Sequence, residues 1–129
     1  MEDKVIFAGY NKNIKTYLLR SDLGILSSRW EGFGLVSVEM LSSGLPLVAT
    51  NVYGLKEITQ NCSAVYHIKP ESSKNLAKGI LKQINNIEQI GVKQIGLIAN
   101  KRSKKFKLED MWRGYNNVYQ DTLKELSLN

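Results

Sequence analysis

Residues Trp30 to Thr50 read WEGFGLVSVEMLSSGLPLVAT, a loop, a helix, a turn and a strand in succession. Leu35, Val36, Val38, Met40 and Leu41 leave the helix apolar nearly all round, and such a helix is expected inside a protein. Glu39 is its one charge. An ionised carboxylate there is costly unless a partner or a ligand uses it. Glu31 stands ahead of the helix, with seven residues between it and Glu39. Gly32 and Gly34 let the backbone come close to a ligand, and free N–H groups at a helix start attract phosphate. The segment therefore offers an anion site, a carboxylate at its rim and a second carboxylate within. Ser43-Gly44 stops the helix, and Pro46 starts the strand Leu47–Thr50.

Working outward, Val5-Ile6-Phe7-Ala8 reads as a buried strand ended by Gly9. A helix with Ile14, Tyr17 and Leu18 follows, capped by Asn11 or Asn13. Leu23–Leu26 is a second strand. On the other side, the loop Asn51–Gly54 leads to a short helix at Leu55–Thr59. Ala64–Ile68 is a fourth strand with suitable Val, Tyr and Ile content. Pro70-Glu71-Ser72 opens a long helix striped by Leu76, Ala77, Ile80, Leu81 and Ile84. A second helical stretch covers roughly Glu88 to Lys104. The last helix, about Leu108 to Leu126, gathers Met111, Trp112, Tyr115, Val118, Tyr119 and Leu123 on one face. That face is expected to pack on the chain's own sheet, the alternative being contact with a separate chain.

Short apolar strands alternating with helices predict an α/β fold: a Rossmann-like parallel sheet of about four strands flanked by helices, one unit over residues 1–129. Four strands are few for a doubly wound domain, and the chain starts almost directly on one, so a piece of a larger unit is expected.

Composition excludes several classes. Hydrophobic residues at 43% and charged residues at 23% fit a globular domain. A single cysteine, Cys62, rules out an internal disulfide and a cysteine-based metal site. No apolar run approaches membrane-spanning length, and the acidic start MEDKVIF, leading straight into an apolar run, is not expected to act as a signal peptide. A cytoplasmic location is the expectation. The net charge of +6 comes entirely from the second half, with its densest run, KRSKKFK, at Lys101–Lys107. That run reads as a solvated helix end. An anionic membrane surface is the alternative, and nucleic acid is not expected, because no nucleic-acid motif accompanies the charge.

Ligands of open parallel sheets bind beyond the carboxyl ends of the strands. Three loops meet there: Gly9–Asn13, Ser27–Gly34 and Asn51–Gly54. A phosphate ligand fits the start of the central helix, and Glu39 is a suitable acceptor for paired ribose hydroxyls. The structural alternatives are complementation of the helix dipole for Glu31 and a salt bridge to a buried cation for Glu39.

The run EGFGLVSVEMLSSGLPLVAT closely resembles the signature of the retaining glycosyltransferases of family 4, the "group 1" family. VIFAGY, SDLGILSS, NVYGLKEIT and FKLEDMWRGYNNVY are similar to neighbouring family segments, so the resemblance covers nearly the whole chain. It implies the distal part of the C-terminal, donor-binding domain of a GT-B fold. The implied activity is transfer of a sugar from a nucleoside-diphosphate sugar to an acceptor hydroxyl, with retention and with no cofactor or metal in the site. By the resemblance, Glu31 faces the donor sugar and is the catalytic candidate. The backbone of Gly32, Phe33, Gly34 and Leu35 lies by the sugar and diphosphate, and Glu39 holds the ribose. Phe7, Gly9 and Tyr10 lie near the base.

Ser27 departs from the family's proline, and Cys62-Ser63 replaces a usual glycine. The family's diphosphate-clamping Arg and Lys lie upstream of this segment, with Arg29 and Lys56 as conceivable substitutes. The acceptor-binding N-terminal domain, or a partner chain that supplies it, is the implied partner. The fragment is expected to be inactive alone, and a complementing subunit of a split glycosyltransferase is the other reading. A lipid-linked acceptor would place Lys101–Lys107 at the membrane periphery.

Overall fold

The computed structural model describes residues 2–127. After a short 3-10 turn at Glu2–Lys4, helix α1 spans Ile14–Arg20, strand β1 Gly24–Leu26 and helix α2 Leu35–Ser42. Then come β2 (Leu47–Thr50), α3 (Tyr53–Thr59), β3 (Val65–Ile68), α4 (Ser73–Ile90), α5 (Val92–Ser103) and α6 (Leu108–Ser127). The strands form one parallel sheet in the order β1-β2-β3. Gly24 aligns with Leu47, and Leu47 with Val65.

Strand side chains alternate between faces, and the contacts follow that rule. Leu47, Ala49 and Val65 join Leu41, Leu55, Ile58, Ile95 and Ala99 in one apolar cluster on the side of α2, α3 and α5. Val48, Tyr66 and Ile68 point the other way, to Gly79 of α4, where a β-carbon would lie 2.5 Å from Ile68 Cγ2. All four β2 residues are buried, as expected of a central parallel strand. Buried Gln83 donates from Nε2 to the Ala64 carbonyl at 2.7 Å, which satisfies the one large polar group under the sheet.

The parallel α/β architecture agrees with the expectation, with three strands among the described residues rather than four. Val5–Ala8 is not a strand: Ile6 and Phe7 are 91% and 96% exposed. A strand exists only with a ladder partner. Among the described residues the sheet consists of β1, β2 and β3 alone, and none of them pairs with this segment.

Three further expectations are corrected. The stretch Glu88–Lys104 is two helices broken at Gly91. The last helix does not cover the sheet with its aromatic face: α6 has no buried residue, and that face is exposed. The sheet's two faces are already taken by α4 and by α2, α3 and α5, so α6 has no free surface of its own sheet to cover. Helix α2 is buried on one side only, through Ser37 and Leu41, while Leu35 is 66% exposed. It leans on α3 and α5, and the face carrying Leu35, Glu39 and Ser42 is left open.

Candidate functional site

The loop Ser27–Gly34 leaves the carboxyl end of β1 and enters α2. The last residue of β2 anchors it: Thr50 Oγ1 donates to the Ser28 carbonyl at 2.7 Å. Ser28 in turn points its hydroxyl at Glu31 Oε2, 3.5 Å away. Glu31 is half-buried, with its carboxylate at the rim of the loop.

Gly34 is the N-cap of α2, with φ +82°. This is the left-handed region, where a β-carbon is strained. Here one would also stand 2.8 Å from Leu55 Cδ2 and 3.2 Å from Glu31 Cγ. Gly34 supplies no side-chain cap, so no side chain occupies the start of α2, where the helix dipole favours an anion, although the Ser37 N–H already bonds the Gly34 carbonyl at 2.8 Å. Ser37, buried, sends its Oγ to the Gly34 carbonyl at 2.7 Å and fixes the entry of the helix.

The loop's other support is α3. Gly54 lies flush against it: a β-carbon there would be 2.6 Å from the carbonyl oxygens of both Glu31 and Gly32. Sequence reading placed Gly54 in a ligand-edge loop, and it is instead the seat of the Glu31–Gly32 backbone. Gly54 belongs to the NVYGLKEIT segment, but its role depends on a contact across some twenty residues of chain, which the segment alone does not reveal.

Glu39 is exposed, not enclosed, which corrects the expectation drawn from its apolar neighbours. The helix period counts apolar residues but does not say which face is covered. Glu39 forms no salt bridge among the described residues, so the buried-cation alternative fails. Glu39 lines a groove of about 420 Å³ together with Ile14, Lys15, Leu18 and Leu19 of α1 and with Ser42 and Ser43.

Glu31, Gly32, Phe33, Gly34 and Leu35 are thus contiguous on one edge, with Glu39 one turn further along α2. Phe7 and Tyr10 are almost wholly exposed, and nothing stands within 4 Å of a β-carbon built on Gly9. These three residues are not packed against the loop. Arg29 is engaged in an exposed ion pair with Glu71 at 3.4 Å, beside a polar cavity of about 260 Å³ at the carboxyl edge. Lys56 is exposed on α3. Among the described residues there is no group of three or more His, Cys, Asp or Glu side chains able to hold a metal ion. No helix among them is long and apolar enough to cross a membrane.

Two titratable groups of the sheet region have shifted affinities for protons. Burial pushes the Cys62 thiol up, away from reactive thiolate. His67 Nε2 meets Thr59 Oγ1 at 2.8 Å, and Thr59 donates its own proton to the Leu55 carbonyl, so the imidazole is the donor in this pair. Burial, and then the charge of Lys56, hold the His67 pKa below the usual histidine value. The folded state therefore prefers neutral His67, and the unfolded chain takes up the proton first as pH falls. The His67 contribution is complete above about pH 6.5 and is lost as pH falls below it toward the lower folded value. Urea midpoints measured from pH 7.5 down to 5 are expected to fall, and His67→Asn to flatten that part of the fall. An equal pH dependence in the variant would contradict this assignment.

The family model described as "Glycosyl transferases group 1" matches residues 1–91. The N-acetyl-alpha-D-glucosaminyl L-malate synthase of Bacillus anthracis is 29% identical over 97% of this chain and 32% of its own length. A glycosyltransferase structure from Rickettsia africae superposes with a TM-score of 0.86 at 26% identity, over 95% of this chain and 33% of that one. A structure from Anabaena in complex with UDP gives 0.82 at 24% identity, over 93% and 33%, and this likeness shows the fold alone. The chain spans about a third of the length of these proteins.

Proposed function

Since the chain belongs to the glycosyl transferases group 1 family, we propose that it is the donor-binding part of a retaining glycosyltransferase and binds a nucleoside-diphosphate sugar. The observation that carries this reading is the Glu31–Gly34 loop. It is braced on two sides and brings the uncapped start of helix α2 next to a carboxylate. The diphosphate lies against Gly32, Phe33, Gly34 and Leu35 at the start of α2, where charge building on the leaving phosphate is stabilised as the glycosidic bond breaks. Glu31 faces the sugar. Glu39, exposed and without an internal cation, accepts both ribose hydroxyls. Phe7, Gly9 and Tyr10 come near the base only if the segment is drawn into a fuller sheet. No metal or other cofactor takes part in this reading, and the protein works at the cytoplasmic side.

Transfer needs an acceptor site as well, and we assign it to an N-terminal domain of the same polypeptide or to a partner chain. The isolated chain is inactive in this reading. The reading of the chain as a complementing subunit of a split enzyme draws on α6, whose apolar face has no cover among the described residues. A peripheral membrane role for Lys101–Lys107 is weaker. The polar side of α6 carries Glu109, Asp110, Asp121 and Glu125 against Arg113 and Lys124, the wrong balance for an anionic bilayer.

The test of the donor reading is titration of the chain with uridine, adenosine and guanosine diphosphates, followed by amide NMR. Binding in the millimolar range, about 4 kcal/mol, is expected for one of them. Glu39→Ala is expected to weaken it by about tenfold or more, the loss of a charged hydrogen-bond acceptor, with stability unchanged because the side chain is exposed. An affinity untouched by Glu39→Ala would overturn the ribose assignment.

A further inference from the structure

The basic run Lys101–Lys107 is not uniformly solvated. Arg102 and Phe106 are partly buried, while Lys101, Lys104, Lys105 and Lys107 are exposed. Phe106 sits in the turn between α5 and α6, its N–H bonded to the Ser103 carbonyl at 3.0 Å, and packs against the apolar cluster. The Phe33 ring meets it edge-on, with centroids 6.3 Å apart and planes at 76°. On Phe106 itself lies the Arg102 guanidinium, 5.2 Å from the ring centre. Arg102 is pinned in turn: Nε donates to the Ile58 carbonyl at 2.5 Å and Nη2 to the Glu57 carbonyl at 2.8 Å. Those carbonyls are at the C-terminal end of α3, where a helix attracts cations. The start of the same short helix holds Gly54 against Glu31 and Gly32.

We propose that Phe106 and Arg102 are positioning residues for the Gly32–Gly34 loop. They grip Phe33 from outside while α3, to which Arg102 is fastened, grips the loop backbone from inside. This rests on the reading of that loop as the donor site. The loop's two glycines give it more conformational freedom than other residues would, and a ligand held by backbone amides needs that freedom removed beforehand. Phe33 is the one large side chain between them, so its ring is the available handle, and an edge-to-face partner sets its direction as well as its distance. Arg102 reads the α3 terminus with a planar fork that lysine lacks.

The experiment is residue-resolved amide nitrogen-15 relaxation on the intact chain, with uridine diphosphate as the ligand probe. Phe106→Ala is expected to lower the order parameters of Gly32, Phe33 and Gly34 from about 0.85, the rigid-backbone value, to below about 0.6, and to leave β2 and β3 unchanged. Phe106→Tyr, which keeps the ring, is expected to restore rigidity, and Phe106→Leu, which keeps bulk without the ring, to restore less. Arg102→Lys should loosen the loop partially. If the alanine variant fails to fold, the leucine and tyrosine variants decide the matter. Unchanged loop order parameters, or a fall spread evenly over the sheet, would overturn the proposal. So would a loosened loop with unaltered uridine diphosphate affinity. If the unsubstituted chain binds no nucleoside diphosphate, the donor reading fails, and the relaxation pattern still decides whether Phe106 holds the loop.

Discussion

Gly54→Ala is expected to lower the stability of the chain by about 3 kcal/mol, at the upper end for overpacking. The new methyl carbon would stand 2.6 Å from two carbonyl oxygens, those of Glu31 and Gly32, where ordinary contact begins near 3.4 Å. Neither obstacle is a side chain that can rotate away. Either α3 retreats from the loop or the loop leaves α3, and both moves break contacts that set the Glu31 carboxylate. A 129-residue domain would lose roughly 10 °C in Tm for such a change. Urea denaturation and the amide shifts of residues 31–34 measure the two consequences together. A variant within about 0.5 kcal/mol of the parent, the range of an ordinary surface change, would show that the loop is not seated on Gly54.

The second large effect concerns α6 and is one of association. Leu108, Met111, Trp112, Tyr115, Val118, Tyr119, Leu123 and Leu126 recur at helical spacing and are all more than half exposed. Its charged pairs, Asp110 with Arg113 and Asp121 with Lys124, occupy the opposite side. An isolated helix of this kind is marginal in water and gains most of its stability from what its apolar face covers. The chain by itself is expected to self-associate at tens of micromolar, with a mass above the 14.6 kDa of one copy. Serine at Trp112, Tyr115 and Tyr119 together is expected to return it to one copy. The unfolding midpoint of the sheet should stay unchanged, because no α6 residue is buried. Light scattering after size exclusion reads the outcome. A parent chain that remains a single copy to about millimolar concentration would remove the case for α6 as an interface.

Much of the architecture was legible in the chain. The alternation of short apolar runs with helical stripes gave a parallel α/β fold, and Ser43-Gly44, Pro46 and Ser72 marked boundaries that the structure respects. The E-G-F-G run was recognisable as a loop entering a helix because glycine and a following apolar period are local signals. Gly34 takes the positive φ that only such a residue accepts readily.

What the sequence could not contain was the pairing and covering of those pieces. Val5–Ala8 has the composition of a strand, yet strand formation needs a ladder partner elsewhere in space. Glu39 has apolar neighbours in sequence, yet its exposure depends on which side of α2 meets α3 and α5. Arg102 and Phe106 look like members of a basic run, and they became the outer grip on Phe33 only when the turn after α5 was brought beside the loop after β1. Local periodicity marked the segments that favour strand or helix, because backbone preference acts over a few residues. Burial, charge partners and the bracing of the Glu31 loop were decided by tertiary structure, because they depend on contacts between residues far apart in the chain.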